Sequence, residues 1–252
     1  MKTDRWPRLA KDIVAATALM TRLPLPRLPE DTFERSAQTT WAYPLAGLAA
    51  GGIAALAGYA AMQFGLTASL AAGLALACLL ILTGALHEDG LADVADGFWG
   101  GFTPSERLAI MKDSQIGSYG TLALIVTIGL RWLAYASLVQ TSLAAIIAVA
   151  AASRAVLPAV MYKMPNARKS GLSHQVGRPG LNQALVAMGL GTMLAVAFLG
   201  WLGLVAMVAA GLAAIAMGWL AQRKISGQTG DVLGATQQVA EVSALISLTA
   251  LI

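Results

Sequence analysis

The sequence predicts an all-α, polytopic membrane helix bundle with about six to seven transmembrane helices and an N-terminal interfacial helix. Three observations carry that expectation. First, 57% of the 252 residues are hydrophobic and only 12% are charged, where a soluble domain carries roughly a quarter charged residues. Aromatics are 6%, so small and aliphatic side chains supply the apolar content, and the mean hydropathy is +0.67. Second, apolar runs of about 20 residues, the length that crosses a hydrocarbon core, recur along the chain. Third, the charges are segregated: every Lys, Arg, Asp and Glu except Arg131 and Arg154 falls within 1–35, 87–113, 163–178, 223–231 or at Glu241. This composition excludes disorder, a collagen-like repeat and a coiled coil. One cysteine, Cys78, inside an apolar run leaves no disulfide framework and no Cys-based zinc site. His87 and His174 alone cannot make a His-rich metal cluster.

Taken in order, residues 8–21 alternate Leu9, Ile13, Val14, Ala16, Leu19 and Met20 with Arg8, Lys11 and Asp12, the pattern of an interfacial amphipathic helix. Leu23-Pro24-Leu25-Pro26 ends it. Asp4, Asp12 and Arg22 interrupt the apolar core a signal peptide would need. Spans follow near 44–63, 66–86, 117–139, 142–161, 182–199 and 204–221, the last two separated at Gly200-Trp201-Leu202-Gly203. A seventh helix is expected from about 236 to Ile252, with Glu241 near its start. The whole of 1–252 reads as one integral membrane domain, in which 1–35 is a cytoplasmic or interfacial segment, 87–116 an acidic catalytic loop and 222–235 a Gly-rich loop.

If these spans alternate, every charged segment lies on one face and the uncharged turns at 63–67, 139–142 and 200–203 on the other. Lys and Arg mark the cytoplasmic side. The net charge of +4 is then a topology signal and requires no nucleic acid, and polar chemistry is expected at the cytoplasmic mouth of the bundle.

Between spans two and three lies HEDGLADVADG, residues 87–97. Asp89, Asp93 and Asp96 stand at i, i+4 and i+7, one stripe of a helix. Like charges this close repel unless a cation sits among them, and Mg²⁺ favours an oxygen shell of one or two carboxylates, water and substrate phosphate. A solvated loop helix with scattered charges fits less well, because 87–106 holds no Lys or Arg. Asp89, Asp93 and Asp96 are therefore the candidate metal ligands, with Glu88 and His87 off the stripe in bystander, second-layer or structural roles. Asp113, in MKDSQIGSYG at 111–120, could serve a second metal or act as general base. In KISGQTGDVLGA, residues 224–235, three glycines and a threonine form a loop whose amides could cradle phosphate; a plain Gly-rich turn between spans is an equal alternative. Gly227, Thr229, Gly230 and Asp231 are the candidates there.

Two arginines lie inside spans. An intramembrane cation is a functional-site hypothesis by default, and Arg154, after Ser153 and before Pro158, is assigned to substrate phosphate. Arg131 could simply pair or snorkel. Arg22, Lys112 and Arg168 could assist a polyanionic substrate, but such residues are also ordinary positive-inside charges. A cytoplasm-facing carboxylate–Mg²⁺ centre with Gly-rich and Arg elements describes phosphoryl transfer.

These motifs resemble the cobalamin synthase family, the adenosylcobinamide-GDP ribazoletransferases. The matching pieces are Thr21-Arg22-Leu23-Pro24, Tyr43-Pro44-Leu45-Ala46-Gly47, LHEDGLADVADG at 86–97, IMKDSQIGSYG at 110–120, Ser153-Arg154 and GQTGDVLGA at 227–235. Two positions depart from the usual pattern: HLDG reads HEDG here, and a Gly-Gly reads Ser226-Gly227. Neither removes a carboxylate.

The resemblance implies a transfer in which a ribose hydroxyl of α-ribazole, or its 5′-phosphate, attacks the cobinamide-linked phosphate of adenosylcobinamide-GDP. GMP leaves, and adenosylcobalamin or its 5′-phosphate forms. It further implies Mg²⁺ and a multi-pass location in the bacterial cytoplasmic membrane amid membrane lipid, and a homo-oligomer is compatible with it; Asp89, Asp93 and Asp113, read from the stripe and its neighbourhood, are the candidate catalytic residues.

Other classes fit less well. The signature of enzymes using CDP-activated alcohols is broken by Phe98-Trp99-Gly100 after Gly97. A polyprenyl transferase would carry two separated Asp-rich motifs, and a transporter would show internal repeats and acidic residues near the midplane.

Overall fold

The computed structural model describes residues 7–29, 32 and 34–252; the rest of the 1–35 segment, including Asp4, lies outside the described residues. Helix α1 (Arg8–Met20) forms where the amphipathic pattern places it, but it buries Lys11 and Asp12 along with Ala15, Ala16 and Met20 and leaves Leu9 exposed. It leads through a short helix α2 (Ser36–Thr39) and a 3-10 turn into α3 (Tyr43–Gln63). Then follow α4 (Ala68–Thr83), α5 (Leu86–Gly100), α6 (Pro104–Ile110), α7 (Ser118–Thr141), α8 (Leu143–Ala155), α9 (Leu157–Lys163), α10 (Leu172–Val176), α11 (Leu181–Leu199), α12 (Trp201–Ile225) and α13 (Gly230–Thr249).

Five segments are long and apolar enough to cross a bilayer: 36–63, 118–141, 143–163, 181–199 and 201–225. A sixth results if α4 and α5 form one span broken by a bend of 86°. The chain is thus a multi-pass membrane protein. Within the 143–163 segment, α8 gives way to α9 at Val156, just before Pro158. This segment is the centre of the bundle, 78% of its apolar window being buried against 22–44% for the other four. Alanine dominates its packing face: Ala145, Ala148, Ala150, Ala151, Ala152 and Ala155 have no exposed surface. Without a hydrophobic drive between helices in lipid, such small residues let backbones approach closely enough for dispersion to hold them.

Three expectations need correction. The 87–116 segment is not a loop, because 86–100 and 104–110 are helical. The break comes before it, where Gly84 (φ 61°) and Ala85 (φ 55°) are both left-handed and turn α5 away from α4; for Ala85 that conformation costs roughly 1–2 kcal/mol. The Arg22 amide donates to the Leu82 carbonyl across this elbow (2.6 Å). Second, the 222–235 segment shrinks to 226–229, since α12 runs to Ile225 and α13 starts at Gly230. Third, the seventh helix therefore begins six residues before its expected start. Thr229 caps it, its Oγ1 accepting from the Val232 amide. Asp231, Gln237, Gln238 and Glu241 make α13 too polar to count as a lipid-facing span, but it is buried against α12, α5, α8 and α7.

Candidate active site

Helices α5 and α13 cross where neither has a side chain to hold them apart. A Cβ on Gly90 would lie 2.8 Å from the Asp231 carbonyl oxygen and 3.0 Å from its Cα, and Gly234 meets the His87 carbonyl in the same way. This contact brings the first turn of α13 against Asp89 and Asp93. The charges of Asp231, Asp89 and Asp96 all bear on Asp93, with Arg168 opposing them.

Arg168 comes from the loop after α9. Its Nη2 lies 2.7 Å from Asp231 Oδ2, which also accepts from Thr229 Oγ1 at 3.1 Å. Its Nε and Nη1 are buried and have no hydrogen-bond partner. A guanidinium with one edge held by a carboxylate and two donors left over is suited to a second anion.

The 226–229 segment positions this arginine. The Gln228 amide donates to the Pro165 carbonyl (2.9 Å) and the Ala167 amide to the Gln228 carbonyl (2.8 Å). The Gln228 side chain accepts from Ser173 Oγ and donates to Asn166 Oδ1. Gly227 is required here because a Cβ would stand 2.5 Å from the Pro165 carbonyl oxygen. Gly227 and Gln228 thus strap the 165–173 loop down; of the motif's candidate residues, Gly230 and Asp231, at the start of α13, line the cleft described next.

A cleft of about 150 Å³ opens between these elements. Its lining combines Asp89, Arg168, Ser173, Gly230 and Asp231 with Tyr43, His87 and apolar residues of α1, α9 and α10.

Asp96 has a different place. Its two oxygens accept the amides of Gly117 (2.7 Å) and Gly120 (2.9 Å), so it caps α7 and fastens α5 to it. The stripe directs Asp89 to the cleft, sets Asp93 beside it within reach of the Asp231 charge, and commits Asp96 elsewhere. Asp113 and Lys112 are exposed on the turn after α6, and neither they nor Arg22 line the cleft.

Among the described residues, no three His, Cys, Asp or Glu side chains converge as a ready metal cage. Asp89 and Asp93, with Asp231 beside them, still match Mg²⁺, which takes one or two carboxylates and completes its shell with water and substrate phosphate.

Arg154 is not brought to the cleft wall. It is 1% exposed, donates to the Ala150 carbonyl (2.9 Å) and stands 3.9 Å from Glu241. It belongs to a polar cluster inside the bundle that also contains Arg131. Arg131 pairs with Glu88 at 2.6 Å and with Glu241 at 2.9 Å, and donates to Gln238. Gln238 donates to Glu88, Gln237 binds Glu241 and Ser153, and Tyr135 donates to Glu241. Glu88 is therefore buried and paired, not a bystander. Gln237, Gln238 and Tyr135 went unnoticed in the sequence, although Gln237 and Glu241 at i, i+4 mark a polar face on an apolar helix.

Residues 12–249 match the model of a family described as cobalamin-5-phosphate synthase. Among curated relatives, a Bradyrhizobium diazoefficiens protein is 43% identical over 247 residues, covering 97% of this chain and 95% of the relative. A Mesorhizobium japonicum protein is 42% identical, with 95% and 93% covered. A Brucella abortus protein is 39% identical, with 95% and 96% covered. All three are named adenosylcobinamide-GDP ribazoletransferase. No solved structure matches the chain.

Proposed function

The chain belongs to the cobalamin-5-phosphate synthase family, and from that premise we propose how its cleft performs the family's transfer. The enzyme joins adenosylcobinamide-GDP to α-ribazole or α-ribazole 5′-phosphate and releases GMP, closing the nucleotide loop of adenosylcobalamin. A ribose oxygen of the acceptor forms a bond to the cobinamide-linked phosphorus, the bond to GMP breaks, and the hydroxyl proton is lost.

One observation carries the assignment of the site: Arg168 has two buried donors without a partner, beside Asp89 and Asp231 in a single cleft. Those donors point to different sides of the guanidinium and engage separate non-bridging oxygens of the diphosphate, where charge-assisted bonds are strong. Asp231 holds the guanidinium edge so that little order is lost on binding. Gly230 sets the positive end of the α13 dipole toward the same phosphate. Asp89 and Asp93 would hold Mg²⁺, which when bound supplies charge neutralisation at the phosphates. Phosphoryl transfer asks mainly for such positioning and charge compensation. Arg154 acts at one remove, by holding Glu241.

The site faces the cytoplasm in the bacterial inner membrane on this account, supported by the confinement of Lys and Arg, apart from Arg131 and Arg154, to 1–35, 87–113, 163–178 and 223–231, segments that also supply Asp89, Arg168 and Asp231 of the cleft. The test is GMP release from the protein in liposomes, given adenosylcobinamide-GDP and α-ribazole. GMP is expected only with both substrates and Mg²⁺; equal release in excess EDTA would remove the metal, and none under any condition would remove the proposal.

A further inference from the structure

Building on that function, we infer that the apolar half of the cleft seats the aromatic base of the acceptor nucleoside. Leu157 and Met161 stand one turn apart on α9, Leu172 and Val176 one turn apart on α10, and Leu19 and Met20 close the wall from α1. Met20, Leu157, Met161 and Val176 are buried by the protein itself, so the wall is preformed.

Four aromatic or macrocyclic groups enter the reaction, the corrin ring, the adenine of the adenosyl group, guanine and dimethylbenzimidazole, and this wall discriminates among them. The corrin ring is far larger than a cavity of about 150 Å³, a size at which cavities take up a small aromatic molecule. Guanine and adenine would bury amino groups and ring nitrogens against these six apolar side chains, at roughly 1–3 kcal/mol for each group that Tyr43, His87 and Ser173 of the same lining leave unmet. The dimethylbenzimidazole of α-ribazole has no N–H once glycosylated, and its two methyls add apolar surface. The thioethers of Met20 and Met161 suit a flat ring, being adaptable and favourable against aromatic edges. The placement is also self-consistent: the base shares the cleft with Asp89, Arg168 and Asp231, so the attached ribose enters the same cleft as the phosphate they hold.

The inference is tested with Met161→Gln, which adds an amide at nearly constant shape, and with Leu172→Gln at a position 41% exposed and so safe for folding. Two readouts apply: KM for each substrate in liposomes, and binding of α-ribazole alone followed by its own fluorescence. Met161→Gln is expected to raise the KM and Kd for α-ribazole about tenfold, and Leu172→Gln about threefold, with KM for adenosylcobinamide-GDP unchanged within about twofold. A rise confined to the adenosylcobinamide-GDP KM, or no change with either substrate in the inserted and folded Leu172→Gln variant, would overturn it. Binding needs no turnover, so it separates the two failures. Absent GMP release by the unaltered protein defeats the proposed function, whereas normal release with unaltered α-ribazole binding in both variants defeats this subsite alone.

Discussion

Replacing Arg131 by Met tests the cluster at the centre of the bundle. Arg131 is 1% exposed and ion-paired to Glu88 at 2.6 Å and Glu241 at 2.9 Å. With Arg154 the four groups sum to zero charge; Arg131→Met leaves two buried carboxylates and one cation, which stands 3.9 Å from Glu241. Removing one partner of a buried pair costs about 3–5 kcal/mol, mostly because the other charge stays buried. That is roughly two to three and a half powers of ten in the folded fraction, out of a total stability typically near 5–15 kcal/mol. The assay is unfolding in detergent micelles titrated with SDS and followed by helicity. The double variant Glu88→Leu/Arg131→Met restores neutrality, leaving Glu241 with Arg154, and should recover about 2 kcal/mol of the loss. An unchanged midpoint for Arg131→Met, or a double variant less stable than the single one, would refute the reasoning. The same accounting makes Arg131 at least as sensitive as Arg154, the reverse of what their sequence positions suggest.

Asp96→Ala should destabilise the protein by about 1–2 kcal/mol, the cost of a lost N-cap, because its carboxylate holds the Gly117 and Gly120 amides; thermal unfolding in micelles reads this. Gly90→Val must push α5 from the Asp231 backbone, 2.8 Å from any Cβ, and should cut kcat by at least about tenfold while the protein still elutes as a folded species. In a Cys78→Ser background, Ser105→Cys and Ser170→Cys should resist an impermeant thiol reagent added to intact cells, and Thr141→Cys should react. Labelling of the first two would invert the topology.

The spans were legible because apolar length is a one-dimensional property, and six of the seven expected helices start within about three residues of where hydropathy puts them. The seventh was placed late because Gly230 and Asp231 look like turn residues; the clue overlooked was Thr229, a good cap ahead of a helical run. The elbow at Gly84 and Ala85 was hidden for a similar reason, as only Gly84 is a residue that favours a left-handed conformation. At the site, the i, i+4 spacing puts Asp89 and Asp93 on one stripe of α5, where the charge of Asp231 bears on Asp93 and that of Asp89 on Asp231. The same spacing argument misassigned Asp96, since what engages its oxygens lies 21 and 24 residues away. Arg131 and Arg154 could not be ranked from sequence because their roles depend on Glu88 and Glu241, which arrive from two other helices. Arg168 looked like one positive-inside charge among several, and only the strap through Gln228 distinguishes it.

The most direct measurement of the central claim is single-turnover GMP release in liposomes by Asp89→Asn and Arg168→Gln, with Glu106→Gln, an exposed helix-capping change, as the control. Asp89 and Arg168 share the phosphate in this account, so each variant should lose at least about a hundredfold in rate, on the scale of removing one electrostatic contact from a transition state. Both must remain inserted and folded, and the control should retain its rate. Near-normal release by either folded variant would contradict it.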